Sequence, residues 1–273
     1  MPRECLRAVS RPAAMAVAFC GIIFFISAAA MAETAPPGTH PMAKQHQSML
    51  DEIQADMAAT ASWTGRPALK PLVLAAMAKV ERHRFVPAEE APYAYINRPR
   101  SIGHGQTISQ PYIVALMTEL LDVGPEDKVL EVGTGSGYQA AVLAEIVREV
   151  FTVEIVEPLG RQAAARLKEL GYANVHARIG HGFKGWPEQA PFDAIIDTAA
   201  PERVPEALAA QLKTGGRLVI PLGRQWEPQT LQRCVKGADG KLACESRLPV
   251  AFVPMVGGRE GGRDKEEGRP SRP

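Results

Sequence analysis

Nine residues constrain this chain more than any others: Val129-Leu130-Glu131-Val132-Gly133-Thr134-Gly135-Ser136-Gly137. A short apolar strand runs directly into three alternating glycines, and an alanine-rich helix follows over residues 138–147. Glycines let the backbone turn sharply and let a ligand come close to it. The alternation continues, with strands at 150–155, 175–179, 194–196 and 217–221 and helices at 158–170 and 204–212. Strands apolar along their whole length, alternating with helices, predict a parallel sheet covered on both faces. The expected fold is α/β, a doubly wound, mostly parallel sheet that binds ligands at the carboxyl ends of its strands.

Ahead of the sheet, apolar residues recur at helical spacing over 42–59 (Met49, Ile53, Met57) and 69–81 (Leu72, Val73, Ala76, Met77, Val80). Pro87 closes this helical preface. Residues 97–111 read as loop, with Pro99, Gly103 and Gly105 as breakers, and a helix is predicted over 112–121. Antiparallel segments at 230–236 and 246–254 close the domain as a C-terminal hairpin. The domain spans 42–256, between a linker at 33–41 and a Gly-, Arg- and Glu-rich tail at 257–273 expected to be disordered.

The N-terminus is different in kind. Arg3, Arg7 and Arg11 precede an uncharged run from residue 13 to 32, and the run ends in Ala28-Ala29-Ala30-Met31-Ala32. A basic start, an apolar centre and an A-x-A site at Ala30 and Ala32 read as a secretory signal over 1–32. The same run is long enough for a membrane anchor, and an internal start at Met31 or Met42 would remove it. Export, to a periplasm, is the favoured reading; a cytoplasmic protein follows from an internal start, and membrane contact only from an uncleaved segment.

Composition excludes several classes. With 31 basic and 30 acidic residues the net charge is +1, and loss of residues 1–32 makes it −1. Neither value supports a dedicated nucleic-acid binder. A 46% hydrophobic content over 273 residues is ample for a buried core. Four cysteines are too few for a disulfide scaffold, and the six histidines show no metal-ligand spacing. Cys234 and Cys244 flank Gly237-Ala238-Asp239-Gly240, a hairpin signal. A three-residue loop there would set Gly237 against Lys241 and Cys234 opposite Cys244, allowing a cross-strand disulfide; two unrelated thiols are the alternative.

The glycine turn lacks the sixth-position glycine of a dinucleotide fingerprint, where Tyr138 stands, and has no Lys-Ser/Thr for a P-loop. Glu154 closes the second strand, where an acid is placed to accept both ribose hydroxyls. A nucleoside ligand without a pyrophosphate fits better than a dinucleotide. The plainer alternative is a structural turn with a solvated glutamate.

The turn, Glu154 and five βα-type strands together resemble class I S-adenosylmethionine-dependent methyltransferases, a Rossmann-like fold. A longer set of motifs, from about Met49 to Val256, resembles the protein-L-isoaspartate O-methyltransferases. The set includes Arg82-His83-Arg84-Phe85-Val86-Pro87, Ser101-Ile102-Gly103-His104-Gly105-Gln106-Thr107-Ile108-Ser109-Gln110-Pro111 and Ile155-Val156-Glu157-Pro158. Gly185-Trp186-Pro187-Glu188, Pro191-Phe192-Asp193-Ala194-Ile195-Ile196, the run from Leu212 to Pro221, and Phe252-Val253-Pro254-Met255 extend it. Many methyltransferases share the turn, but few share Gln106-Thr107-Ile108-Ser109.

The resemblance implies methyl transfer from S-adenosyl-L-methionine to the carboxylate of an L-isoaspartyl residue, after which the ester closes to a succinimide that reopens partly to aspartate. It implies proteins or peptides carrying L-isoaspartyl residues as partners; the chemistry needs no metal, and a monomer is the expectation. The resemblance places Glu131, Gly133, Gly135, Ser136, Gly137, Glu154, His181 and Gly182 at the cofactor. Gln106, Thr107 and Ile108 become the lid between cofactor and substrate, and Ser109 the active-site donor that orients the carboxylate. Ser109 also precedes Pro111 and a helix, the place of an N-cap.

Two positions depart from the pattern. His181 stands where an aspartate would accept from the adenine amino group; it accepts only when neutral, so weaker, pH-sensitive cofactor binding is expected. Asp197 stands where an apolar residue is usual, and strand alternation leaves its facing open. These departures keep two other readings in view: a methyltransferase with another acceptor, and a non-catalytic exported relative that only binds.

Overall fold

The computed structural model describes residues 42–224 and 227–257. The signal-or-anchor reading of 1–32, the linker at 33–41 and the tail beyond Gly257 lie outside the described residues.

Three helices open the fold. α1 (Ala43–Ala59) buries Met49, Ile53 and Met57 completely, the four-residue spacing that puts one stripe on one face. α2 (Ala61–Thr64) is a single turn, and α3 (Pro71–Lys79) starts on a proline, which needs no N–H in the first turn. Two 3₁₀ turns follow, at Arg82–Phe85 and Ala88–Tyr93.

The expectation of loop over 97–111 is corrected by a small antiparallel hairpin, β1 (Arg100–Gly103) and β2 (Gln106–Ile108). Gly103, His104 and Gly105 all take positive φ, 84°, 52° and 70°, and so make the reversal. The strands turn only Ile102 and Ile108 inward, too short an alternation to read as a strand. α4 (Pro111–Leu121) then runs almost wholly buried.

The main sheet comprises β3 (Lys128–Val132), β4 (Glu149–Glu154), β5 (Val175–Ile179), β6 (Phe192–Asp197), β7 (Leu212–Leu222), β8 (Gln229–Lys236) and β9 (Leu242–Val250). The helices α5 (Tyr138–Ala144), α6 (Glu157–Glu169) and α7 (Glu206–Gln211) connect the parallel strands. Strand order is β5-β4-β3-β6-β7-β8-β9, parallel through β7 and antiparallel beyond it. The second antiparallel segment starts earlier than its predicted 246 and ends earlier than 254. The turn at Gly237–Lys241 sets β8–β9 register at once, with Gly237 N–H donating to Lys241 O at 2.8 Å. Beyond Val250 the chain leaves the sheet, and Pro254 bridges to Ala200. Cys234 lies opposite Cys244, and the two form a disulfide.

The pleat sorts the core. On β3, Val129 faces the cluster under α1, α3, α4 and α5, while Leu130 and Val132 face a second cluster with Phe151, Ile195, Leu208 and Ile220. Period two therefore puts Glu131, Thr152 and Glu154 on the first face and Asp197, with Ile195, on the second. Chain growth reverses between the adjacent strands β3 and β6. Their carboxyl ends form the crevice where such sheets bind ligands.

Candidate active site

Gly133, Gly135 and Gly137 take φ of 89°, 52° and 88°, which is why this turn is glycine-rich. Gly133 N–H donates to Val153 O at 2.9 Å, fastening the turn to β4. A Cβ on Gly133 would run into Thr198 Oγ1. That hydroxyl donates to Val132 O at 3.0 Å and Gly133 O at 2.7 Å, so Thr198 closes the crevice floor from β6.

Glu154 is 5% exposed at the end of β4. One carboxylate oxygen accepts from Gly135 N–H at 2.7 Å and the other from Val156 N–H at 2.8 Å. Each oxygen keeps a second lone pair for a hydroxyl. Glu131 is fully buried behind the turn. Its Oε2 accepts from Thr152 Oγ1 at 2.6 Å, while Oε1 has no partner among the described residues. Burial, with Glu154 adding repulsion, pushes the Glu131 carboxyl up to about 8 against the Thr152 hydrogen bond.

Two cavities meet at this turn. One takes its walls from Gln106, Glu154, Val156, Gly182 and Val253 to Val256. The other is lined by Ile108, Ser109, Glu131, Ser136, Tyr138 and Gln139. Thr107, Gly133, Gly135 and Thr198 line both. Sheet and hairpin thus bring Gln106, Thr107, Ile108, Ser109, Glu131, Gly133, Gly135, Ser136, Glu154 and Gly182 to one crevice. Ile102 seats the hairpin 3.4 Å from where a Gly135 Cβ would stand.

Gly137 and His181 line neither cavity. A Cβ on Gly137 would meet Leu167 at 3.2 Å, so this glycine permits α5 to pack on α6. His181 is exposed, its ring against Gly257. The N-cap residue of α4 is Gln110, with no side-chain cap, so Ser109 is not occupied in capping. Asp197 is fully buried on the opposite sheet face, accepts from Ala199 N–H at 3.0 Å, and lines neither cavity. Burial holds its carboxyl well above the usual carboxylate range.

Sequence reasoning missed Thr198 and treated Val253 to Met255 only as motif. Thr198 directly follows a parallel strand, and that placement alone marks it for the crevice. The residues present fit a nucleoside with a cationic tail: a bare glycine turn for close approach, Glu154 at one end, and the unpartnered Glu131 oxygen at the other. No group of acids, histidines or cysteines among the described residues is arranged to hold a metal.

The model of one protein family, protein-L-isoaspartate(D-aspartate) O-methyltransferase, matches residues 65–260. Protein-L-isoaspartate O-methyltransferase 2 of Polaromonas sp. is 57% identical over 211 residues, covering 77% of this chain and 100% of that protein. Protein-L-isoaspartate O-methyltransferase 1 of Nitrosospira multiformis is 61% identical over 186 residues, 68% of this chain and 79% of its own. A solved Plasmodium falciparum beta-aspartate methyltransferase, in complex with S-adenosyl-L-homocysteine, covers 77% of this chain and 98% of its own at 24% identity and a TM-score of 0.64, which shows the fold. A glycine turn between two joined cavities and a match of this length lead to one assignment: the chain belongs to the protein-L-isoaspartate(D-aspartate) O-methyltransferase family.

Proposed function

We propose that this protein transfers a methyl group from S-adenosyl-L-methionine to the carboxylate of L-isoaspartyl residues in proteins, starting their repair. The observation that carries the reading is the pair of cavities sharing Thr107, Gly133, Gly135 and Thr198, one holding Glu154 and the other Ser109. Glu154 and the glycine turn hold the donor, whose cationic tail reaches Glu131 in the second cavity; Ser109, in that same cavity, orients the acceptor. When bound, S-adenosylmethionine supplies a sulfonium methyl, and its S–CH₃ bond breaks as the carboxylate oxygen takes the carbon.

Little acid–base help is needed, because a carboxylate is already ionised at neutral pH. Positioning carries the rate. A cation and an anion become two neutral products, so transfer is favoured to the extent that the hairpin residues Thr107 and Ile108 limit water around the reacting atoms. Thr107 stands between the two cavities and lines both, with Gln106 beside it on the donor side.

Export is part of the proposal. The basic start, apolar run and A-x-A site support cleavage after Ala32, and a Cys234–Cys244 disulfide suits an oxidising compartment. Mass spectrometry of protein from an exporting host should find Glu33 as the new N-terminus; an intact Met1 would overturn this part alone.

The activity test uses methyl-labelled S-adenosylmethionine and paired peptides differing only in Asp against L-isoAsp, with base-labile methyl esters counted. Label on the isoaspartyl peptide alone is expected. Cofactor binding without transfer would point to another acceptor, and absence of both to a binding relative.

A further inference from the structure

Arg82 is among the largest fully buried side chains of the fold, and nothing above uses it. It stands at the start of the Arg82–Phe85 turn. Its Nε donates to Ala94 O at 2.8 Å and its Nη2 to Ser109 O at 2.7 Å. The guanidinium carbon lies 4.9 Å from the centroid of the Tyr138 ring, and Phe85 packs edge-on against the same ring at 5.5 Å. Among the described residues Nη1 is buried with no hydrogen-bond partner.

The charge is not neutralised. No carboxylate among the described residues pairs with Arg82, and the charged group whose field reaches it is Arg100, of the same sign. Burial pushes its pKa down to about 10, which leaves it a cation at neutral pH. An unpaired buried charge is among the costlier features a fold can carry. Carbonyl capping alone does not require a guanidinium here, since a neutral amide also donates twice.

What Arg82 touches is informative. Ser109 and Tyr138 both line the cavity where the acceptor meets the donor's tail; Glu131 lines it too and is taken up by the donor's cation. A cation directly behind that wall sets a positive potential in the cavity through low-dielectric protein, where it is felt more strongly than across solvent.

We propose that Arg82 is a positioning and specificity-determining residue, which fixes the Ser109 backbone and makes the acceptor cavity select an ionised carboxylate over a neutral group of the same shape. The inference rests on the carboxyl-methylation reading. It assigns to Arg82 no contact with the acceptor; the effect passes through the Ser109 and Tyr138 wall.

The test compares binding of two peptides in the presence of S-adenosylhomocysteine, one with the free α-carboxylate of L-isoAsp and one with the α-carboxamide. Wild-type protein should bind the carboxylate at least about tenfold tighter. Arg82→Lys, which keeps the charge, should hold that preference within about threefold, whereas Arg82→Gln should reduce it to about threefold or less. Affinity for S-adenosylhomocysteine alone should stay within about threefold in both variants. A merely structural arginine would weaken both peptides together and leave their ratio unchanged, and that result would overturn the proposal. So would equal binding of both peptides by the wild type, or loss of the preference in a folded Arg82→Lys, neither of which depends on Arg82→Gln folding. Wild-type protein that fails to methylate the isoaspartyl peptide would instead count against the functional reading.

Discussion

The buried Glu131 carboxyl makes cofactor affinity a function of pH. Its value in the folded, ligand-free protein is about 8, against 4.5 for an ordinary glutamate. At neutral pH most of the molecules therefore hold the proton. A cationic ligand beside the unpartnered Oε1 favours the carboxylate, so binding expels that proton. Affinity should rise by up to about tenfold per pH unit between pH 6 and 8 and level off above. Calorimetry in two buffers of different ionisation enthalpy should find more proton released by the wild type than by Glu131→Gln at pH 7, by up to about one proton. The subtraction removes the ligand's own amine. The sign for folding is opposite. A raised folded-state value means that the folded chain holds a proton the unfolded chain has lost, so the contribution is fully present below pH 4.5 and lost as pH rises through 8. That loss has an upper limit of about 5 kcal/mol, and Glu131→Gln should accordingly raise the melting temperature of the ligand-free protein most at pH 8 and above. Equal proton release by wild type and variant would refute the reasoning.

Three other outcomes follow from the geometry. Glu154→Ala removes the acceptor of the Gly135 and Val156 N–H groups together with the ribose partner; cofactor affinity should fall on the order of 100-fold by calorimetry, with the circular dichroism spectrum unchanged. Gly133→Ala places a Cβ on Thr198 Oγ1 at a φ of 89° and should cost about 2–4 kcal/mol in urea unfolding. Gly105→Ala, at a φ of 70° with nothing within 4 Å, should cost only about 1–2 kcal/mol, and equal costs would refute the close-approach argument. Reducing Cys234–Cys244, separated by 10 residues, should remove about 2–3 kcal/mol, seen as a melting temperature roughly 5–10 °C lower.

Much of this site was legible in the sequence because its central part is local. The strand, glycine turn and helix from Val129 onward are contiguous, and the pleat fixes where Glu131 and Glu154 point. The hairpin carrying Gln106 to Ser109 was recognisable as motif but not as structure, since two inward residues make no period. Thr198, the Val253–Met255 wall and Arg82 reach the site only through contacts distant in sequence, 65 residues apart for Thr198 and Gly133. Asp197 shows the opposite limit. Its facing depended on the register of β6 against β3, and once Val132 pairs with Asp197 the pleat sends it into the second core.

The cross-linked hairpin of β8 and β9 bears on survival among proteases. Its tip, Ala238 to Gly240, is exposed, and it is the kind of small, polar turn that proteases nick first. A cut there would ordinarily free β9 and, with it, the stretch from Val253 to Val256 that walls the donor cavity. The Cys234–Cys244 bond encloses the tip, so a chain cleaved once inside it remains a single covalent piece with β9 still beside β8. A band that splits on a reducing gel while activity persists is the signature this arrangement leaves.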